Sequence, residues 1–372
     1  MVDLVGQYNK IKTEVDSAVI NVMNEASFIN GPAVQKFQVD FQKYLGVKHV
    51  IPCANGTDAL QVALMALDLK PGDEIITTSF TFIATAEVIA LLNLVPVLVD
   101  VLPDTYNIDP EAVEKAITSK TKAIIPVHLF GQSADIHALI KIAEKHNLYI
   151  VEDTAQAVGA DFTCPESGKT KKIGTFGDIG CTSFFPSKNL GAFGDGGAIF
   201  TNDDDLAKKM RIIVNHGMTV RYYHDEIGVN SRLDSIQAAV LSIKLEHLDE
   251  YSKARQDAGT YYNNAFANHP KITPPATADF TTHVYHQYTL VLNDVDRDGL
   301  MKHLADKGIA SAVYYPVPLH MQKAYLDPRY KEGDFPITEM LSKTVMSLPI
   351  HTELTREIQK EITDAVLEFV NS

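Results

Sequence analysis

A single lysine, Lys188, lies on a short turn between two apolar stretches of the sequence. The stretch before it, DIGCTSFF (178–185), alternates small and apolar side chains, which is typical of a strand, and Pro186 ends that strand. Glycines stand at 191, 194, 196 and 197, and the apolar stretch GAIFT (197–201) follows. The pattern predicts strand, tight turn and strand, with the amine of Lys188 close to main-chain atoms and apolar walls.

Burial favours the neutral form of a lysine amine, and a neutral amine can form a Schiff base with an aldehyde. Pyridoxal phosphate (PLP) is the aldehyde cofactor that fits this chemistry. A PLP site requires a carboxylate for the pyridinium nitrogen, a phosphate cradle and a flat side chain over the ring. The alternative is an ordinary solvated lysine in a loop, so these three groups have to be sought elsewhere in the chain.

Two turns offer the cradle and the flat side chain. The turn Asn55-Gly56-Thr57 leads from a predicted strand into a predicted helix, whose free N–H groups favour an anion. Gly56 and Thr57 are therefore candidates for the PLP phosphate, and a plain capping turn is the alternative. Phe82 lies in the next loop between strand and helix, where its ring could stack on a cofactor or simply belong to the core.

The carboxylate comes from Asp153, which ends the apolar stretch YIVED (149–153). A carboxylate that emerges from a buried strand needs a partner, and a pyridinium N–H would be one. Gln156, three residues later, could reach the ring hydroxyl. The alternative is a helix N-cap at Asp153 or Thr154.

Strands and helices alternate through most of the chain, which predicts an α/β fold with a mostly parallel central sheet. Sites in such sheets lie at the carboxyl ends of the strands. Two later stretches, 285–292 and 309–320, are predicted strands of a small α+β domain. We therefore expect a large domain at 1–248 and a small C-terminal domain at 249–372, with an exposed flap at 162–177.

Composition excludes several functions. The 372 residues carry a net charge of −14 without a basic block, so nucleic acid and anionic membranes are poor partners. The longest uncharged apolar run, 88–99, is too short to cross a bilayer. Three cysteines without a C-x-x-C pair argue against a zinc site or a disulfide framework, and no metal is expected. The start of the chain lacks an apolar signal sequence, so a cytoplasmic location is expected.

Eight short segments carry a resemblance to a known family. They are CANGTDAL (53–60), PGDEIIT (71–77), TFIATAE (81–87), HLFGQ (128–132), EDTAQ (152–156), SFFPSKNLG (183–191), GDGGA (194–198) and NSRLD-x-x-QAA (230–239). In this order and spacing the chain resembles the DegT/DnrJ/StrS nucleotide-sugar aminotransferases almost from end to end. The resemblance implies fold type I, the aspartate aminotransferase architecture, with PLP as cofactor.

The resemblance also implies roles for individual residues. Lys188 matches the Schiff-base lysine, Asp153 the pyridinium partner and Gln156 the contact to the ring oxygen. The other cofactor contacts that it implies are Gly56, Thr57 and Ser183 at the phosphate, Phe82 over the ring, and Asn230 at the phosphate of a neighbouring subunit. The resemblance therefore also implies a homodimer in which each active site is shared between the two subunits. Relatives that act as dehydratases carry histidine in place of this lysine, so Lys188 favours transamination.

The substrate is expected to be a nucleotide sugar, with L-glutamate as amino donor. The chain looks most like the branch that acts on a UDP-linked 3-keto-N-acetylglucosaminuronic acid and serves surface polysaccharide synthesis. Arg232 would hold the uronate carboxylate, or would form a salt bridge at the start of a helix. Tyr314, Tyr315 and His320 match residues near the sugar, or pack in the small domain. Tyr314 stands where the branch has histidine, and Phe130 replaces a common tyrosine.

Three other functions compete with this interpretation. An aminotransferase on a dTDP- or GDP-linked keto-6-deoxy sugar would share the same motifs. A non-catalytic sugar-binding or regulatory protein would have no need to keep Lys188, Asp153, Gln156 and Ser183 together. A nicotinamide-dependent enzyme is disfavoured because no G-x-G-x-x-G follows the first strand, and GDGG (194–197) precedes a strand.

Overall fold

The computed structural model describes all residues from Met1 to Ser372. Its strands, in chain order, are β1 (His49–Cys53), β2 (Glu74–Thr78), β3 (Val95–Val99), β4 (Thr121–Ile125), β5 (Tyr149–Asp153), β6 (Asp161–Thr163), β7 (Thr170–Lys172), β8 (Ile179–Ser183), β9 (Gly197–Thr201), β10 (Met218–Val220), β11 (Tyr223–His224), β12 (Ile272–Thr273), β13 (Tyr288–Leu292) and β14 (Val345–Leu348).

The α-helices are α1 (Leu4–Asn24), α2 (Pro32–Leu45), α3 (Gly56–Ala66), α4 (Ala84–Leu91), α5 (Pro110–Ala116), α6 (Ile136–His146), α7 (Asp204–Ile213), α8 (Ser235–Glu246), α9 (Leu248–Phe266), α10 (Arg297–Asp306), α11 (Pro336–Thr344) and α12 (Arg356–Asn371). None of them is long and apolar enough to cross a membrane.

A seven-stranded sheet in the order β1-β9-β8-β5-β4-β2-β3 forms the centre of the large domain. The pairs β3–β2, β2–β4, β4–β5 and β5–β8 are parallel, and β9 is antiparallel to both of its neighbours. The structure therefore confirms the predicted α/β class with a mostly parallel sheet. Strands β5 and β8 lie side by side, so the residues that follow them, including Asp153 and Lys188, meet at one edge.

Alternate residues of the central strands enter different hydrophobic clusters. Ala123 and Ile125 of β4 pack in the cluster around α3, whereas Ile124 packs in the cluster with α5 and α6. Both faces of the sheet are therefore covered, which explains why these strands are apolar throughout rather than alternating.

A second sheet, β12-β13-β14, is antiparallel and packs with α9, α10 and α12 around a core of its own. Tyr262 and Phe266, near the end of α9, are both fully buried in that core. The C-terminal core thus recruits α9 as well as the strands and helices after it. A domain boundary at residue 248 stays a prediction.

One local prediction was wrong. The stretch 309–320 is not a strand, because only Ala312 forms an isolated bridge, to Ser347, and the chain then turns toward the large domain. The expected exposed flap at 162–177 is the hairpin β6–β7, whose residues 165–171 are exposed as predicted, whereas Phe162 and Ile173 near its ends are buried. The strand that pairs with β13 is β14, which the sequence analysis did not identify.

Candidate active site

A cavity of about 810 Å³ opens at the carboxyl ends of β5 and β8. Twenty-two residues line it. Nine of the twelve predicted site residues are among them: Gly56, Thr57, Phe82, Asp153, Gln156, Ser183, Lys188, Tyr314 and Tyr315. Residues from four separate strand ends and from the C-terminal region therefore meet in one space.

Lys188 lies on the tight turn that the sequence predicts. Its main-chain N–H donates to the Phe185 carbonyl at 2.8 Å, and the neighbouring Asn189 Nδ2 donates to the Val284 carbonyl at 2.9 Å. Burial lowers the pKa of Lys188 to about 8, although the negative charge of Asp153 opposes that shift. The amine is therefore available in its neutral form near neutral pH.

Asp153 is 6% exposed and directs its carboxylate into the cavity at the end of β5. Thr85 Oγ1 donates to its Oδ2 at 3.0 Å, and the main-chain N–H of Ala155 donates to its Oδ1 at 3.1 Å. Burial nevertheless raises the pKa of this carboxyl above its usual value. A cationic or N–H partner facing Asp153 would stabilise the ionised form, and a pyridinium ring supplies one.

Glu152, the residue before Asp153, is a buried hydrogen-bond acceptor that holds the end of β5 in place. Glu152 is fully buried and accepts from His128 Nε2 at 3.0 Å and from the main-chain N–H groups of Gly174, Phe176 and Gly177 at 2.7–2.9 Å. Burial alone would raise the pKa of Glu152, but these donors hold it below its usual value. These hydrogen bonds hold the end of β5 and so position Asp153, although none of them involves the Asp153 carboxylate.

The start of α3 lies at one end of the cavity, where the sequence predicts a phosphate cradle. Asn55 caps the helix, accepting from the Asp58 N–H at 2.8 Å. A Cβ on Gly56 would lie 2.6 Å from the Cβ of Ser183, so only glycine allows this close approach. Free N–H groups and two side-chain hydroxyls, on Thr57 and Ser183, thus line one end of the cavity, which fits a phosphate.

Gln156, Tyr315 and Phe82 complete the ring-binding part of the cavity. Gln156 Oε1 accepts from the Phe130 N–H at 2.9 Å, and its Nε2 donates to the Tyr315 hydroxyl at 3.0 Å. The ring of Phe82 lies 6.4 Å from that of Tyr315 and is 56% exposed, so its face is free for a flat ligand. The residues present therefore fit PLP: a lysine, a carboxylate, a cradle and an aromatic face.

The model of the DegT/DnrJ/EryC1/StrS aminotransferase family matches residues 9–367. The chain belongs to this family. Aminotransferases of the family depend on PLP, which confirms the cofactor prediction. Sugar aminotransferase is thus the class of enzyme to which the chain belongs.

Three relatives show the extent of the similarity. A pleiotropic regulatory protein of Geobacillus stearothermophilus is 46% identical over 99% of this chain and 98% of its own length. A UDP-2-acetamido-2-deoxy-3-oxo-D-glucuronate aminotransferase of Pseudomonas aeruginosa is 44% identical over 95% of both chains. The crystal structure of S. venezuelae DesV is 40% identical and superposes with a TM-score of 0.95 over 100% of this chain and 98% of that one. Other matching relatives are named for dTDP- and GDP-linked sugars.

Three predicted residues of this aminotransferase lie outside the cavity of their own chain: Asn230, Arg232 and His320. Asn230 is exposed and bridges to Asn215, and Arg232 is half-buried before α8. That Asn230 and Arg232 contribute to the active site of a second subunit stays a prediction. His320 is 3% exposed, and both of its nitrogens contact protein atoms, so the structure leaves it no nitrogen for a sugar.

Several cavity residues were not identified from the sequence. Thr85 supports Asp153, and His286 and Gln287 reach the cavity from the segment before β13. Asp58 and Asp195 add two carboxylates. For Thr85 a signal existed, since the motif TFIATAE contains it, but nothing local distinguishes His286 from His283, the other histidine of THVYHQ (282–287).

The lowered pKa of Lys188 predicts how the cofactor-free protein reacts with an amine-acylating reagent. Labelling of Lys188, followed by peptide mass spectrometry across a pH series, should be half-maximal near pH 8, because the unreactive ammonium form prevails below it. Asp153→Asn should move the midpoint lower, since that negative charge raises the pKa of Lys188. A midpoint near the ordinary lysine value of 10.5 would contradict the desolvated site.

Proposed function

We propose that the enzyme transfers the amino group of L-glutamate to the 3-keto carbon of UDP-2-acetamido-2-deoxy-3-dehydro-glucuronate. The product is UDP-2-acetamido-3-amino-2,3-dideoxy-glucuronate, a precursor of lipopolysaccharide or another surface polysaccharide. The observation that carries the aminotransferase chemistry is the meeting of Lys188 and Asp153 in one cavity with the Gly56–Ser183 cradle. A homodimer and a cytoplasmic location belong to the same proposal.

PLP, when bound, would supply an electron sink for negative charge at the substrate carbon. Asp153 would accept a hydrogen bond from the ring nitrogen, and Thr85 and Ala155 hold its carboxylate in place. The Nζ of Lys188, which has a pKa of about 8 when free, would take a proton from the substrate carbon and later give it back. Gly56, Thr57 and Ser183 would hold the cofactor phosphate.

The charge of the cavity supports a contribution from a second subunit. Three lining residues are carboxylates (Asp58, Asp153 and Asp195), and Lys188 is the only lysine or arginine among them. A cofactor phosphate, a diphosphate and a uronate cannot all be neutralised by one lysine with a lowered pKa. Cations from outside this chain's own cavity are therefore needed. Arg232 of the partner subunit is the proposed source.

The UDP-linked uronate is favoured by the similarity to the Pseudomonas aeruginosa enzyme, which is named for that substrate. A dTDP- or GDP-linked keto sugar is the second candidate, because relatives named for such sugars match nearly as much of the chain. Tyr314, which lines the cavity in place of an expected histidine, is the residue that could change the sugar. One relative is named as a regulatory protein, so a non-catalytic role also has to be tested.

The first test follows cofactor absorbance in the PLP-loaded protein. Glutamate should convert the aldehyde form of the cofactor to the amine form, and the keto sugar that reverses the change identifies the substrate. Lys188→Ala should slow both half-reactions by roughly 10²–10⁴-fold, the usual contribution of a well-placed acid–base group. Lys115→Ala, on the exposed surface of α5, is the matched control and should leave both rates unchanged.

Recovery with the UDP-linked 3-keto-uronate alone supports the proposed substrate. Recovery with a dTDP- or GDP-linked sugar instead supports the second candidate. A protein that binds PLP but responds to no amino donor would overturn the catalytic proposal in favour of a binding role.

The shared-site proposal predicts complementation between two inactive variants. Lys188→Ala and Asn230→Ala chains are each expected to form impaired homodimers. A mixed dimer should regain one working site, in which Lys188 comes from one chain and Asn230 from the other. The measurement is activity of the mixed dimer, purified through two different affinity tags. The same design applies to Arg232→Ala, and a mixed dimer no more active than its parents would show that each site is built from one chain.

A further inference from the structure

Three buried polar side chains join the large domain to the C-terminal region next to the cavity. Ser79, directly after β2, is 0% exposed, and its Oγ lies 2.8 Å from Nδ1 of His320. The Nε2 of His320 lies 3.2 Å from Oε1 of Glu339 on α11, and Glu339 is 8% exposed. The three residues are 19 to 260 positions apart in the sequence, so no local pattern reveals them.

The hydrogen bonds extend beyond these three residues. Oε1 of Glu339 is shared by Nε2 of His320 and the main-chain N–H of Gly333, which donates at 2.7 Å. With the ring proton on Nε2, Nδ1 accepts from the Ser79 hydroxyl. A main-chain bond of 3.0 Å from the Leu319 N–H to the Ser79 carbonyl lies beside it. Phe335 packs edge-on against the His320 ring at 4.6 Å.

Serine, histidine and glutamate in a row are also the parts of a hydrolase triad, but the arrangement here cannot act as one. Ser79 has no exposed surface and does not line the cavity, so no substrate carbon can reach its Oγ. A nucleophile has to be accessible to its substrate. The residues therefore act by holding other parts of the chain.

The segments that they hold form two walls of the cavity. Thr81 and Phe82 follow Ser79 by two and three residues, and both line the cavity. Tyr314 and Tyr315 precede His320 and line it from the other side. The two walls touch where the rings of Phe82 and Tyr315 lie 6.4 Å apart.

We infer that Ser79, His320 and Glu339 form a positioning clamp that sets the spacing between Phe82 and the Tyr314–Tyr315 wall, and so the space in which the sugar reacts. The inference rests on the proposed sugar aminotransferase. Asp153 ends β5 and Lys188 lies on the turn after β8, away from the clamp, so the clamp should influence the sugar half-reaction more than the glutamate half-reaction. His320 is accordingly a positioning residue that acts through Phe82 and Tyr315.

The experiment compares Ser79→Ala with Ser347→Ala in the PLP-loaded, full-length protein. Ser347 Oγ shares a hydrogen bond of 2.8 Å with Thr289 between β13 and β14, and both residues are as buried as Ser79. Each variant loses one buried hydroxyl, but only Ser79 adjoins the cavity. The readouts are Tm, the visible circular dichroism of bound PLP, and the two half-reactions followed separately by cofactor absorbance.

Both variants should lower Tm. Ser79→Ala and His320→Leu should also lower kcat/KM of the sugar half-reaction by about 10-fold or more, the scale expected for an unpaired buried polar group, and should alter the dichroism. The glutamate half-reaction should fall by a smaller factor, because Lys188 and Asp153 are held by other contacts even though Phe82 and Tyr315 also border the ring-binding part of the cavity. His320→Asn places a side-chain amide where Nδ1 of His320 lies. It should therefore keep a hydrogen bond with Ser79 and recover most of the lost kcat/KM.

A double-mutant cycle gives the sharpest criterion. If the clamp acts as a unit, Ser79→Ala should have little further effect in the His320→Leu background. A Ser79→Ala protein that changes only Tm, as Ser347→Ala does, would overturn the clamp while leaving the aminotransferase intact. Failure of the wild type to react with glutamate would instead overturn the proposed function. The dichroism of bound PLP tests the clamp even where no sugar reacts.

Discussion

The meeting of Lys188 and Asp153, two oppositely charged groups, in one cavity is the constraint on which the rest of the site depends. Burial disfavours the charged form of both groups, whereas their mutual attraction favours it. Asp153 ends β5, and Lys188 lies on the turn that follows β8, the parallel neighbour of β5, so strand pairing and the turn together set their separation. The hydrogen bonds from Thr85 and Ala155, and the Glu152 network below, keep the carboxylate oriented whether or not a ring is present.

Two buried cations fix the walls around that pair. Lys244 donates to the Gly191 carbonyl at 2.6 Å, just after the Lys188 turn, and Arg255 donates to the carbonyls of Tyr285 and Ile350 at 3.0 and 3.1 Å. Neither contacts a carboxylate, and burial lowers their pKa values to about 8 and about 10. Buried charges without counter-ions are costly, so main-chain carbonyls are the groups that stabilise them here. The free-energy cost of burying Lys244 and Arg255 is offset only while the loops that carry these carbonyls stay in place.

The sequence predicted those parts of the site whose function leaves a local pattern. Lys188 with its glycines, Asp153 after an apolar strand, and Gly56 before a helix each carry such a pattern, and each lines the cavity. His286 does not, because it comes to the site through the long-range contacts of its segment with the Lys188 loop. For His320 the family motif predicted a place beside the sugar, but Ser79 and Glu339, far away in sequence, engage both ring nitrogens.

The neutrality of His286 shows why the cavity holds one proton carrier rather than two. This side chain is 6% exposed, and burial holds its pKa well below the usual histidine value, with the charges of Lys188 and Arg255 lowering it further. A protonated imidazole here would repel the Lys188 ammonium and destabilise both. With His286 neutral, the amine of Lys188, whose pKa is about 8, is the cavity base suited to take a proton from a substrate carbon.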